Sequence, residues 1–164
     1  MERLWSPWRM QYIQRASSGV EPEGCLFCTV AAAGDDEASM ILARGEHAFV
    51  LMNAFPYNPG HVLVCPYRHV SLYVDLTDEE TAEFTALTKA AITALDRSSA
   101  PAGYNIGMNQ GAVAGAGVKA HLHQHVVPRW GGDANFMPVV GRTKVLPQLL
   151  ADTRLMLAKA WPAV

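Results

Sequence analysis

His121, His123 and His125 alternate with Leu122 and Gln124 in the run His121-Leu122-His123-Gln124-His125-Val126-Val127. Alternate side chains of an extended strand share a face, so this spacing predicts three imidazoles in a row, neighbours about 7 Å apart. Half of the chain's 6 histidines sit here, a density that a plain solvated face does not account for. A neutral imidazole can attack phosphorus and form an N–P adduct, splitting one hard displacement into two easier ones. Metal ligation is the competing chemistry. It fits less well, because the third ring lies too far along a straight strand to complete one site and no acidic residue follows until Asp133. Just ahead of the row, Gly111-Ala112-Val113-Ala114-Gly115-Ala116-Gly117 carries little side-chain bulk. Gly115, Ala116 and Gly117 are therefore candidates to offer backbone amides to a charged oxygen group.

The chain's 3 cysteines are an odd number, and Cys25 and Cys28 form a C-x-x-C. In a reducing compartment that pair suggests metal or redox chemistry rather than a structural disulfide. Cys65 falls in an apolar run and reads as a packed core thiol. His61 follows Pro59-Gly60 and carries little weight alone. Asn53 precedes a loop, where its carboxamide can either form a turn or pair with vicinal hydroxyls.

Strands must position these groups. Met40–Ala43 and His47–Asn53 are apolar around Arg44-Gly45-Glu46 and predict a hairpin; Asn53–Gly60 reads as a loop, and His61–Cys65 as a buried strand ended by Pro66. Thr77-Asp78-Glu79-Glu80 has the form of a capping box, and Phe84, Leu87, Ala91 and Leu95 continue a helix until Ser98-Ser99-Ala100-Pro101. Tyr104–Asn109 and His121–Trp130 predict two more strands, the second stopping near Pro128. Pro147, Leu150, Leu157 and Trp161 suit a terminal helix. Strands, helix, strands, helix favour an α+β domain, an antiparallel sheet with helices packed on one side. Residues 1–24, with Trp5 and Trp8 and no periodicity, read as an arm that docks on another surface, a second subunit being one candidate, and residues 25–164 as one domain with a C-terminal helix.

At 164 residues one core is expected. Charged residues make up only 17% against 50% hydrophobic, which points to surface buried between subunits in a homodimer or higher homo-oligomer. Lys plus Arg is 13 and Asp plus Glu 15, so no basic surplus exists to bind a nucleic-acid backbone. No apolar stretch suits a membrane span or signal peptide, and a cytoplasmic protein is expected.

Taken together, His121-Leu122-His123-Gln124-His125-Val126-Val127 resembles the signature of the histidine triad (HIT) superfamily, and Asn53–His61 is similar to its N-x-x-P-x-x-P-G-H segment. The strings around residues 53–64, 107–118 and 125–136 most resemble the bacterial diadenosine tetraphosphate phosphorylase branch. Two positions depart from the pattern: Gln124 stands where the signature has an apolar residue, and Ala116-Gly117 where many members carry a polar pair. The resemblance implies a HIT-like fold and an enzyme that cleaves dinucleoside polyphosphates by phosphorolysis or hydrolysis. It implies His123 as nucleophile, His121 as its orienting neighbour, and His125 and His61 flanking the same phosphate. Asn53 would hold ribose and Asn109 phosphate. Structural zinc would be held by Cys25, Cys28, His69 and His121, with His47 as an alternative ligand. HIT proteins are typically dimers. The alternative is a non-catalytic, zinc-stabilised nucleotide-binding protein, for which Gln124 is the one sequence hint.

Overall fold

Thr77 starts the longest helix as the capping box predicts: its hydroxyl accepts the Glu80 N–H at 3.2 Å while Glu80 Oε2 accepts the Thr77 N–H at 2.8 Å. In the computed structural model, which describes residues 24–133 and 148–163, this helix spans Asp78–Ser99. It ends at Ala100 in the left-handed region, φ 43°, directly before Pro101. The elements are α1 (Leu26–Ala32), β1 (Ile41–Arg44), β2 (Ala48–Met52), β3 (Val62–Pro66), α2 (Asp78–Ser99), β4 (Gly103–Met108), β5 (Gln124–Arg129) and α3 (Leu150–Ala160). Short 3₁₀ turns lie at Tyr73–Asp75 and Ala112–Ala114. The proposed arm over residues 1–24 and the Pro147 start of the last helix lie outside the described residues, except for Gly24.

The strands form one antiparallel sheet in the order β1-β2-β3-β5-β4. Alternation sends Val50, Met52, Val62, Val64 and Val126 to one face, where they meet Phe84, Leu87, Ala91 and Leu95 of α2 and Leu157 of α3. Both long helices thus share one side, as expected. Phe49, Leu51, Leu63 and Cys65 turn to the other side and pack with Ile41 and with Phe27 of α1. Helix α1 escapes the sequence reading because seven residues show too little periodicity. Cys65 is fully buried, and burial pushes its thiol well above the ordinary range, as suits an inert core group.

One expectation for the last strand needs correction. β5 begins at Gln124, so His121 and His123 precede it and only His125 belongs to the strand. The reason lies opposite: Pro66 lacks an N–H, and its carbonyl accepts the His121 side chain at 2.9 Å instead of extending the ladder beyond Val64 and Gln124. The end is as expected near Pro128, with β5 stopping at Arg129. Its ladder with β3 ends at Val62 and Val126, so Pro128 sits where a missing donor is tolerated.

Gly60 shows why the loop before β3 needs its glycine. With φ +79°, a Cβ there would stand 2.8 Å from Leu95 Cδ2. Gly60→Ala is expected to cost about 1–2 kcal/mol for the left-handed backbone and more for the displaced Leu95, read as a lower urea midpoint at unchanged slope. A midpoint equal to the parent's would contradict this account of the turn.

Candidate active site and metal centre

Helix α1 starts at Cys25 as its N-cap, which places Cys28 one turn inside, and the two thiols face the segment before β5. Cys25 Sγ lies 3.2 Å from His121 Nδ1, and Cys28 Sγ lies 3.4 Å from His69 Nδ1 and 3.5 Å from His121 Nδ1. All four ligand atoms fall within 4.8 Å of one another, a spacing that contracts readily to the edges of a tetrahedron about one divalent ion. His121 Nε2–H donates to the Pro66 carbonyl, so the lone pair of its Nδ1 is turned toward the sulfurs. A histidine ligand fixed by a carbonyl on its other nitrogen is the usual outer support of a metal site. Two soft thiolates and two imidazoles fit zinc. His47 is not part of this group: it sits in the β1–β2 turn, where its backbone N–H donates to Glu83 Oε2 at 2.6 Å.

The same residue serves the next histidine through its backbone. His123 Nδ1 lies 2.9 Å from the His121 carbonyl, an acceptor only, so Nδ1 carries the proton and Nε2 the lone pair. Burial pushes both His121 and His123 below the ordinary histidine value, which keeps the rings neutral near pH 7. Phe27, between the two cysteines, packs at 5.4 Å from the His121 ring centroid and 5.0 Å from that of His123. It couples the cysteine helix to both rings.

His61 and His125 form the second half. Tyr57 N–H donates to His61 Nδ1 at 3.0 Å, so His61 carries its proton on Nε2 and donates it to His125 Nδ1 at 3.0 Å. His125 must then be the Nε2–H tautomer. Ring centroids are 5.1 Å apart for both His61–His125 and His123–His125. The row of equivalent imidazoles is therefore replaced by a division: His121 turns to the cysteines, while His123, His125 and His61 form one contiguous group.

Other predicted positions are placed less directly. Asn53 Oδ1 accepts the Phe55 N–H at 2.9 Å, the turn-forming role, and Nδ2 stands 3.3 and 3.4 Å from the two His61 nitrogens. Asn109 is half-buried just past β4. Gly115, φ +81°, donates its amide to the Ala112 carbonyl at 3.2 Å; Ala116 is buried and Gly117 exposed. Gln124 faces α2, where its Nε2 donates to Thr88 Oγ1 at 2.7 Å, so the unexpected amide is satisfied away from the histidines. Phe27, Tyr57 and Pro66 were missed by sequence reasoning. Only Phe27, enclosed by the C-x-x-C, carried a usable signal.

A family model described as HIT domain matches residues 35–132. The chain is 46% identical over 166 aligned residues to a Mycobacterium tuberculosis protein named AP-4-A phosphorylase, covering 98% of this chain and 85% of the relative. Among solved structures, a zinc-bound histidine triad family protein from Mycobacterium smegmatis is 26% identical, with TM-score 0.67 over 84% of this chain and 92% of that one. A Bacillus subtilis member of the HIT family is 28% identical, with TM-score 0.59 over 67% and 76%. The antiparallel sheet, the divided histidines and a family match across more than half of the sequence agree: the chain belongs to the HIT domain family.

Proposed function

We propose that the chain cleaves dinucleoside polyphosphates such as diadenosine tetraphosphate, carrying the nucleotidyl group on His123 between two displacements. The observation that carries this is the bond from His123 Nδ1–H to the His121 carbonyl, which presents a neutral Nε2 lone pair as nucleophile. Attack at the α-phosphorus forms the Nε2–P bond and breaks the bridging P–O bond, releasing ATP. Phosphate then attacks the adduct to give ADP, whereas water would give AMP. A polyphosphate leaves as an anion and needs donors more than a full proton transfer. His125 Nε2–H, fixed by His61, supplies one.

Around that centre, the amides of Ala116 and Gly117 would cradle the transferred phosphate, with Gly115 setting their direction from its left-handed conformation. Asn53 is assigned to ribose and Asn109 to phosphate. Cys25, Cys28, His69 and His121 would hold structural zinc, the similarity to a zinc-bound family member being the second support. Zinc there would add tetrahedral cross-linking of α1 to the His121 segment. The reducing cytoplasm suits this site because it keeps both thiols available to metal. A homodimer is favoured by β4, an edge strand with Asn105, Ile106 and Gly107 exposed. Satisfaction of Gln124 by Thr88 removes the one sequence hint of a non-catalytic binding protein.

Phosphate is expected to be the better acceptor, as the phosphorylase name of the 46% identical relative supports. Incubating the protein with diadenosine tetraphosphate and phosphate should give ADP and ATP by mass. AMP and ATP at a rate unchanged by phosphate would overturn the acceptor.

A further inference from the structure

Asn58 is 3% exposed, and a buried carboxamide costs stability unless its hydrogens find acceptors. Its Nδ2 donates to the Pro128 carbonyl at 2.9 Å and to Asp133 Oδ2 at 2.7 Å. Its backbone carbonyl accepts the His61 N–H at 3.1 Å. One residue thus reaches both segments that carry the paired histidines: it lies three positions before His61, and it grips β5 three positions after His125. The ladder between β3 and β5 stops at Val62 and Val126, so residues 58–61 lie beyond it, and His61 is tied on its other side to Asn53, whose N–H donates to the His61 carbonyl at 2.9 Å. Asn58 adds the link from this segment to β5 past the end of the ladder.

The acceptor is itself locked. Arg129 Nε and Nη2 reach Asp133 Oδ2 and Oδ1 at 2.5 and 3.0 Å, and Arg129 Nη1 reaches Asn105 Oδ1 on β4 at 2.6 Å. The guanidinium holds the Asp133 carboxyl well below the usual carboxylate range, so it remains an ionised, acceptor-only partner.

We propose that Asn58, braced by Asp133 and Arg129, is a positioning residue that sets the hydrogen bond from His61 to His125. It rests on the reaction read above and deepens it. The bond from His61 Nε2–H to His125 Nδ1, 3.0 Å long, holds His125 in the Nε2–H form. Hydrogen bonds weaken steeply when bent or stretched, so a loop shift near 1 Å releases His125 to either tautomer and removes the directed donor. The effect falls on the chemical step rather than on substrate capture.

The test compares parent, Asn58→Ala, Asp133→Ala and Asp133→Asn proteins in two readouts: kcat and KM with diadenosine tetraphosphate and phosphate, and ¹⁵N-histidine NMR correlations, which report ring tautomers without turnover. Asn58→Ala and Asp133→Ala are expected to lower kcat about tenfold or more with KM little changed, and to turn the single Nε2–H pattern of His125 into a tautomer average. Asp133→Asn keeps an oxygen for the Asn58 amide and should restore most of both readouts, even though the Arg129 ion pair is weakened. Variants that only lose thermal stability, keeping kcat and the His125 pattern, overturn the proposal. Should the parent show no cleavage, the reaction fails separately, and the NMR comparison alone still decides the brace: an unchanged His125 pattern in both alanine variants rejects it, and an averaged one upholds it.

Discussion

His123→Ala is expected to lower turnover of diadenosine tetraphosphate on the order of 10⁴-fold or more, with nucleotide affinity changing little. Loss of a covalent nucleophile removes the chemical step itself, and the residual rate is what binding and oxyanion donors supply alone. The geometry makes the loss specific to this ring. Only His123 combines a proton fixed on Nδ1, a neutral form enforced by burial, and an Nε2 lone pair beside the donor His125. His121 spends Nε2–H on Pro66 and turns Nδ1 toward Cys25 and Cys28. His121→Ala should therefore lose stability as well as rate. Turnover and equilibrium nucleotide binding, measured on the same preparation, separate the two. Substantial turnover by a verified His123→Ala protein would remove the covalent route.

Cys25→Ser is expected to lose stoichiometric zinc and to melt roughly 10 °C lower than the zinc-loaded parent. An ion present at about 1,000 times its dissociation constant stabilises by about 4 kcal/mol, and each kcal/mol moves the midpoint of a domain this size by about 2–4 °C. Folding should persist without the metal, because the larger core, between the sheet and helices α2 and α3, contains none of the four ligands, and only the smaller cluster on the other face packs with Cys25. Metal analysis and melting curves before and after chelation check this. Parent protein purified without chelator and carrying no stoichiometric zinc would contradict it.

The long periodic elements were readable from sequence because propensity and packing agree in them. Thr77 and Glu80 form the capping box that their spacing predicts, and Phe84, Leu87, Ala91 and Leu95 face the sheet. The cysteine and histidine identities were readable through the motifs that carry them, and the structure brings Cys25, Cys28, His69 and His121 together. Equal strand spacing misled at His121 and His123, because alternation assumes that the ladder continues, and Pro66 stops it from across the sheet. No local pattern announces that a carbonyl on β3 will be taken by a side chain 55 positions later. Helix α1 was hidden by its brevity, and Asn53 shows why residue type underdetermines role: its oxygen closes a turn while its nitrogen stands beside His61. The direction of the tautomers, from Tyr57 through His61 to His125, depends on a backbone amide that sequence cannot place.

Rapid quenching of the protein during turnover of diadenosine tetraphosphate, followed by intact mass and peptide mapping, tests the covalent account most directly. A transient mass increase equal to one adenylyl group, mapped to His123 and absent from His123→Ala, is the expected result. Steady turnover with no adduct at any quench time, or an adduct on His121 or His125 instead, would contradict it.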